Sequence, residues 1–183
     1  MSQKKILRKK YYYLRKKKYY EIDQEFFFPL IKLIKSKLKR KNLSLALYYP
    51  SNFELNVLKF LENGYMKNKK VLIPIIERQD DMNFYLWKKN QSLFVNRFGM
   101  LEPEKTKMKI PNIMLVPVLA FDKHKYRLGY GKGFYDRYLN KYLKKFKRII
   151  TVGVAFSFQK YHKLPRDKND VKLNYILTEK GIH

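Results

Sequence analysis

Short apolar runs alternate with segments of helical period, and no other feature of this chain limits its fold so tightly. "LSLALYYP" (43–50), "KKVLIPII" (69–76), "MNFYLWK" (82–88), "IMLVPVLAF" (113–121), "KRIITVGVAF" (147–156) and "VKLNYILTE" (171–179) read as strands. Pro117 predicts a bulge or a break in pairing, because proline brings no N–H to a ladder. Residues 3–19 read as a helix: they hold no glycine or proline, and Leu7, Tyr11 and Leu14 follow helical spacing. A second helix is expected within 24–40, where Phe27, Leu30, Ile31, Ile34 and Leu38 form one apolar stripe suited to a core face. Pro29 belongs in its first turn or marks a kink. "FELNVLKFLENG" (53–64) predicts a helix with Leu55, Leu58, Phe60 and Leu61 on its apolar side and Gly64 at its end. A further helix runs to about Lys145, and "FGMLEPEKTKMKIP" reads as a connector rich in turn signals. Strands alternating with helices imply an α/β fold, a mostly parallel sheet with helices on both faces. The expected organisation is one domain over 1–183, basic helices 3–40 packed on an α/β core 43–179.

The chain has no cysteine, which removes disulfides and thiolate metal sites. His124, His162 and His183 lie too far apart for a helical zinc pair. No apolar run of about 18 residues occurs, and the start lacks the apolar centre of a signal peptide. The expected location is therefore the cytoplasm, with no membrane partner. The formal net charge of +27 raises two readings. Lysine is spread along the whole chain, as a shared compositional bias would give, with nonspecific polyanion binding as its consequence. The other reading is an RNA-binding module, suggested by the tyrosine–lysine interleaving of the first helix.

Chemistry concentrates in "RLGYGKGFYDRYL", residues 127–139. The chain has 7 glycines, and Gly129, Gly131 and Gly133 fall within this stretch. A glycine loop between a buried strand and a helix offers backbone N–H groups to an anion, most naturally a phosphate. Arg127 and Lys132 add full charges. The loop fits neither the Walker spacing nor the dinucleotide fingerprint, so a plain strand–helix turn is the alternative. Asp136 falls in the first helical turn. It suits the helix dipole by itself, or a magnesium ion set between it and a polyphosphate. Asp170, beside Asp167 in "RDKNDVKL", is a second carboxylate candidate; Asp122 is a third, or an ordinary turn residue.

With those residues in view, "LVPVLAFDKHKYRLGYGKGFYDRYL" (115–139) resembles the 5-formyltetrahydrofolate cyclo-ligase family, in its strand, glycine loop and Tyr-Asp pair. Weaker matches follow in order through residues 4–179: "KKILR", "YYPSNFE" (48–54), "FGMLEP" (98–103), "VGVAFSFQ" (152–159) and "LPRDKND" (164–170). The resemblance implies a three-layer α/β/α sandwich. It implies an enzyme using ATP and magnesium to turn 5-formyltetrahydrofolate into 5,10-methenyltetrahydrofolate, ADP and phosphate, with a monomer as the expected state. By matching position, Lys4, Lys5 and Arg8 help bind ATP, with Arg8 closest to the reacting groups. Tyr49 contacts the folate, and Glu54 hydrogen-bonds its pterin-side nitrogens; the plain alternative for Glu54 is a carboxylate at a helix N-terminus. Arg127, Leu128, Gly129, Tyr130, Gly131, Lys132, Gly133, Phe134 and Tyr135 wrap the triphosphate, and Tyr130 to Phe134 also touch the folate. Arg8, Arg127 and Lys132 carry the catalytic charge, and Asp136 and Asp170 hold magnesium. One departure stands out. Lys125 occupies the position where the family usually has a glycine, so the turn needs either a strained φ or a different shape.

Overall fold

The computed structural model describes residues 2–38, 43–77, 81–143, 145–146 and 149–183. Helix α1 is Gln3–Lys18 and α2 is Phe28–Lys37. Strands β1 (Ser44–Ala46), β2 (Lys70–Ile76) and β3 (Met82–Trp87) come next, then β4 (Leu93–Val95) and β5 (Leu101–Pro103). Strands β6 (Ile113–Pro117), β7 (Ala120–Asp122) and β8 (Arg127–Leu128) lead to α3 (Phe134–Leu143). Strands β9 (Ile150–Val154), β10 (Lys160–Tyr161), β11 (Tyr175–Thr178) and β12 (Gly181–Ile182) close the order.

Among the described residues, seven strands form the main sheet in the order β12-β11-β9-β6-β1-β2-β3. Its interior pairings are parallel, and only the edge strands β12 and β3 pair antiparallel. Period-two alternation sorts the side chains between two cores. Leu45, Ile73, Ile113, Leu115, Val152 and Leu177 meet α2 through Leu30, Ile31 and Ile34. Ala46, Leu72, Met114, Val116 and Ile176 meet α3 through Tyr138 and Leu139. The layers are thus α/β/α. The chain order reverses at β1, which has β2 on one side and β6 on the other. Ligands of open α/β sheets gather beyond the carboxyl ends of strands at such a reversal.

Several elements depart from their sequence expectations. The 113–121 run is two strands: β6 stays in the main sheet, while β7 joins a small sheet ordered β10-β7-β8. The break follows Pro117, and the Gln159 amide caps it by donating to the carbonyls of Val118 (2.8 Å) and Leu119 (2.9 Å). Residues 57–66 form two 3₁₀ turns, Val57–Glu62 and Gly64–Met66, in place of the helix expected over 53–64. Asn56 and Asn63 each draw a nearby backbone N–H to their own side chains (Leu58 at 3.3 Å, Tyr65 at 2.9 Å), so local bonds compete with the α-helical ladder. Gly64 opens the second turn and ends nothing. The second helix begins as a 3₁₀ turn, Gln24–Phe27, capped by Asp23, and Pro29 lies in the first turn of α2 as expected. The connector holds β5, whose hairpin with β4 was not legible in the sequence. The expected helix positions 39–40 and 144 and strand positions 147–148 lie outside the described residues.

Lys125 takes the strained alternative: its φ is +67°. Its N–H donates to the Asp122 carbonyl (2.9 Å) and its own carbonyl accepts from Leu173 N–H (3.0 Å), which hold the turn between β7 and β8. Among the described residues, no helix is long and apolar enough to cross a membrane.

Candidate active site

Three segments converge beyond the carboxyl ends of β1 and β6. The first is one face of α1. Lys4, Arg8, Tyr11 and Arg15 sit at i, i+4, i+7 and i+11, which a helix stacks in a row. Leu7 and Tyr11 bury that face against Leu119, Leu128 and Leu164, and the Tyr11 hydroxyl donates to the Lys160 carbonyl (3.1 Å). With α1 fixed, its cations point at defined targets. Arg8 Nε donates to the Gly129 carbonyl (2.9 Å). Lys4 Nζ bridges Asp167 and Asp170, 2.6 Å from each. Burial lowers the pKa of that ammonium, and the two carboxylates outweigh it and hold the pKa above the ordinary lysine value. Lys5 is exposed beside it.

The second segment is the glycine loop from β8 to α3. Gly131 (φ +103°) and Gly133 (φ +70°) adopt the left-handed backbone that side chains resist. Gly129 serves close approach: a Cβ there would lie 3.1 Å from Arg127 Nη1. Arg8 fills the space beside Gly131, its Cζ 3.2 Å from where a Cβ would stand. Arg127 is buried, paired with Asp136 (Nη2 to Oδ2, 3.2 Å), and lies over the Tyr135 ring. Leu128 is core. Lys132 is exposed over the Phe98 ring (5.3 Å), and Phe98 also packs on Phe134 (5.4 Å), so the β4–β5 hairpin reaches the loop. Tyr135 is half-buried, its hydroxyl is buried without a partner among the described residues, and burial pushes its pKa far up.

The third segment follows β1. Tyr49, Ser51, Phe53, Glu54, Leu58 and Tyr19 help line a cleft of about 350 Å³. Asn52 (φ 50°) and Phe53 (φ 61°) turn the chain there in the left-handed region. Asparagine tolerates it; phenylalanine is strained by about 1 kcal/mol and packs against Tyr12 and Tyr19. Glu54 is buried and accepts from Ser51 N–H (3.0 Å). Burial raises its pKa, against the opposing pull of that N–H, Arg15 and Tyr130.

The family model for 5-formyltetrahydrofolate cyclo-ligases matches residues 2–179. The chain belongs to that family. A 5-formyltetrahydrofolate cyclo-ligase of Haemophilus influenzae is 31% identical over 150 residues, 76% of this chain and 78% of that protein. One of Mycoplasma genitalium is 30% identical over 180 residues, 96% of this chain and 95% of that protein. The solved 5,10-methenyltetrahydrofolate synthetase of Aquifex aeolicus superposes with TM-score 0.75 at 33% identity, covering 99% of this chain and 92% of its own. That of Mycoplasma pneumoniae gives 0.69 at 26%, covering 96% and 98%. Family and relatives support cyclo-ligase activity, an enzyme in place of the RNA-binding alternative.

Within this cyclo-ligase fold the two expected metal carboxylates belong to segments in direct contact: Asp136 Oδ1 accepts from the N–H of Val171, the neighbour of Asp170 (3.3 Å). Each is held by an expected ATP-binding cation, Asp136 by Arg127 and Asp170 by Lys4. Among the described residues no cluster of three or more metal-binding side chains exists. Two carboxylates without a cage fit magnesium, which takes its remaining ligands from phosphates and water. Asp122 is the turn residue of its two readings. Its side chain is wholly buried, and it accepts from the N–H groups of His124, Tyr126 and Leu164 and from Arg166. Sequence reasoning missed Arg15, which α1 buries against Val118, the loop after β1 and the glycine loop; its only signal was the helical register shared with Lys4 and Arg8.

Proposed function

We propose that this protein converts 5-formyltetrahydrofolate to 5,10-methenyltetrahydrofolate with ATP and magnesium. The formyl oxygen attacks the γ-phosphorus and ADP leaves. A neighbouring amine nitrogen of the folate then attacks the activated carbon, loses its proton, and phosphate departs. The observation that carries this reading is the convergence of the α1 cations, the glycine loop and the Glu54 cleft at the sheet's reversal point, in a chain of this family.

Phosphoryl transfer needs positioning and charge neutralisation far more than a protein nucleophile. Arg8, fixed on the Gly129 carbonyl, stands beside the loop that would wrap the triphosphate. Arg127 and Lys132 supply further charge, and Lys4 a fourth cation once it turns from Asp170. Lys5 would add to the phosphate field from the exposed side. Asp136 and Asp170 would hold magnesium, which neutralises phosphate charge when bound. Glu54, ionised, would accept N–H groups on the pterin side while Tyr49 lines the same cleft. The Phe98–Phe134 pair packs the β4–β5 hairpin against one side of the loop.

Incubation with 5-formyltetrahydrofolate, ATP and magnesium should give the ultraviolet absorbance of the methenyl product. A folded protein producing none, beside an active control enzyme, would refute the reading. Lys132→Ala and Asp136→Ala should each lower turnover by orders of magnitude with the fold intact.

A further inference from the structure

Arg15 is 1% exposed, and its guanidinium has partners in three different loops. It donates to the Val118 carbonyl after β6 (3.3 Å), to the Asn52 carbonyl in the loop after β1 (2.7 Å), and to the Tyr130 hydroxyl in the glycine loop. It also lies over the Tyr130 ring, 5.4 Å from the centroid. Among the described residues no carboxylate lies within ion-pair distance of it. Its Nε is buried without a partner. A buried cation without a direct ion pair is costly even with the Glu54 carboxylate in its field, and a fold that needed only packing would do better with an apolar residue. The Val118 carbonyl does not need it, since Gln159 already donates there at 2.8 Å. What Arg15 alone does is join Asn52 to Tyr130. The Tyr130 hydroxyl interacts in turn with Glu54. Receiving a hydrogen bond from the guanidinium leaves the phenol free to donate its own proton to that carboxylate.

We infer that Arg15 is a positioning residue that couples the folate-side loop 49–54 to the glycine loop, so that filling either half of the site orders the other. This rests on the reading in the preceding subsection. Its consequence is a binding property: each substrate tightens the other. Coupling between sites commonly amounts to about 5- to 150-fold in affinity and must be reciprocal.

The test is calorimetric titration of 5-formyltetrahydrofolate into the whole protein, with and without a non-hydrolysable ATP analogue plus magnesium. The native protein should bind the folate at least about 5-fold tighter when the analogue is present. In Arg15→Lys the ratio should fall to near one, because an ammonium cannot span Asn52 and Tyr130 together. Tyr130→Phe should lose the same ratio, and the double variant should lose no more than either single, as expected of groups acting as one unit. A native ratio of one, or an Arg15→Lys ratio equal to the native one, overturns the proposal. Circular dichroism certifies folding. Should Arg15→Lys fail to fold, Tyr130→Phe decides alone, and an unchanged ratio there overturns it equally. A folded native protein that binds neither ligand refutes the functional reading itself, a result distinct from binding without coupling.

Discussion

Replacing Lys125 by glycine and, separately, by alanine isolates the strain in the turn between β7 and β8. Lys125 holds φ +67°, with its ammonium donating to the Asn174 carbonyl (3.1 Å) and lying over the Tyr175 ring (5.5 Å). Both variants lose those exposed contacts, together worth about 0.5–1 kcal/mol. Alanine keeps the left-handed penalty of about 1–2 kcal/mol that any side chain incurs. Glycine escapes it but loses about 0.5–1 kcal/mol through the greater freedom of its unfolded chain. The difference leaves Lys125→Gly about 0.5–1 kcal/mol more stable than Lys125→Ala and close to the native protein. For a chain of this size each kcal/mol moves the melting temperature by about 2–4 °C. Urea unfolding and a thermal melt read both variants. An alanine variant as stable as the glycine variant would refute the assignment of strain, and would mean that the turn relaxes out of the left-handed region.

Asp122→Asn should cost about 2–4 kcal/mol. One oxygen can still accept from His124 and Tyr126, but the new amide must face two donors, Leu164 N–H and Arg166; chemical denaturation measures the loss. Burial pushes the Asp122 carboxyl up, yet Arg166 and the three N–H groups outweigh it and hold its pKa below the ordinary value. A depressed carboxylate stabilises above the unfolded-state pKa and loses that contribution as pH falls through the folded one, so the variant's stability should fall less steeply in acid. Gly153→Ala should destabilise by about 1–3 kcal/mol by overpacking, since its Cβ would stand 2.7 Å from Ile176 Cδ1 and 2.8 Å from Leu173 Cδ1; a melt checks it. Gly131→Ala should lower turnover at least about tenfold with a smaller effect on stability, because it forces φ +103° on a side chain and crowds the Arg8 guanidinium.

Local pattern carried much of the fold. Apolar runs bounded by turn signals became β2, β3, β6, β9 and β11, and the stripe from Phe27 to Ile34 became a buried face because helical period is a property of neighbours in sequence. The glycine loop was legible for the same reason: its glycines lie close together in sequence, and two of them, Gly131 and Gly133, take positive φ. The 3₁₀ turns at 57–66 were not, since side-chain bonds from Asn56 and Asn63 decided between two helices of similar apolar pattern. Neither were β12 and the β4–β5 hairpin, whose pairings span two or three residues and give too short a run to show a period.

The sequence by itself determined most strands of the main sheet, its flanking helices and the loop with its charges. Only the tertiary structure decided which of many cations matter. Along α1, Arg15 looks like one more basic residue among Lys9, Lys10, Lys16, Lys17 and Lys18, all of them exposed. It is set apart by Val118, Asn52 and Tyr130, which lie 103, 37 and 115 residues away in sequence. Contacts at that separation leave no periodic trace, because they depend on how whole elements pack and not on which residues adjoin.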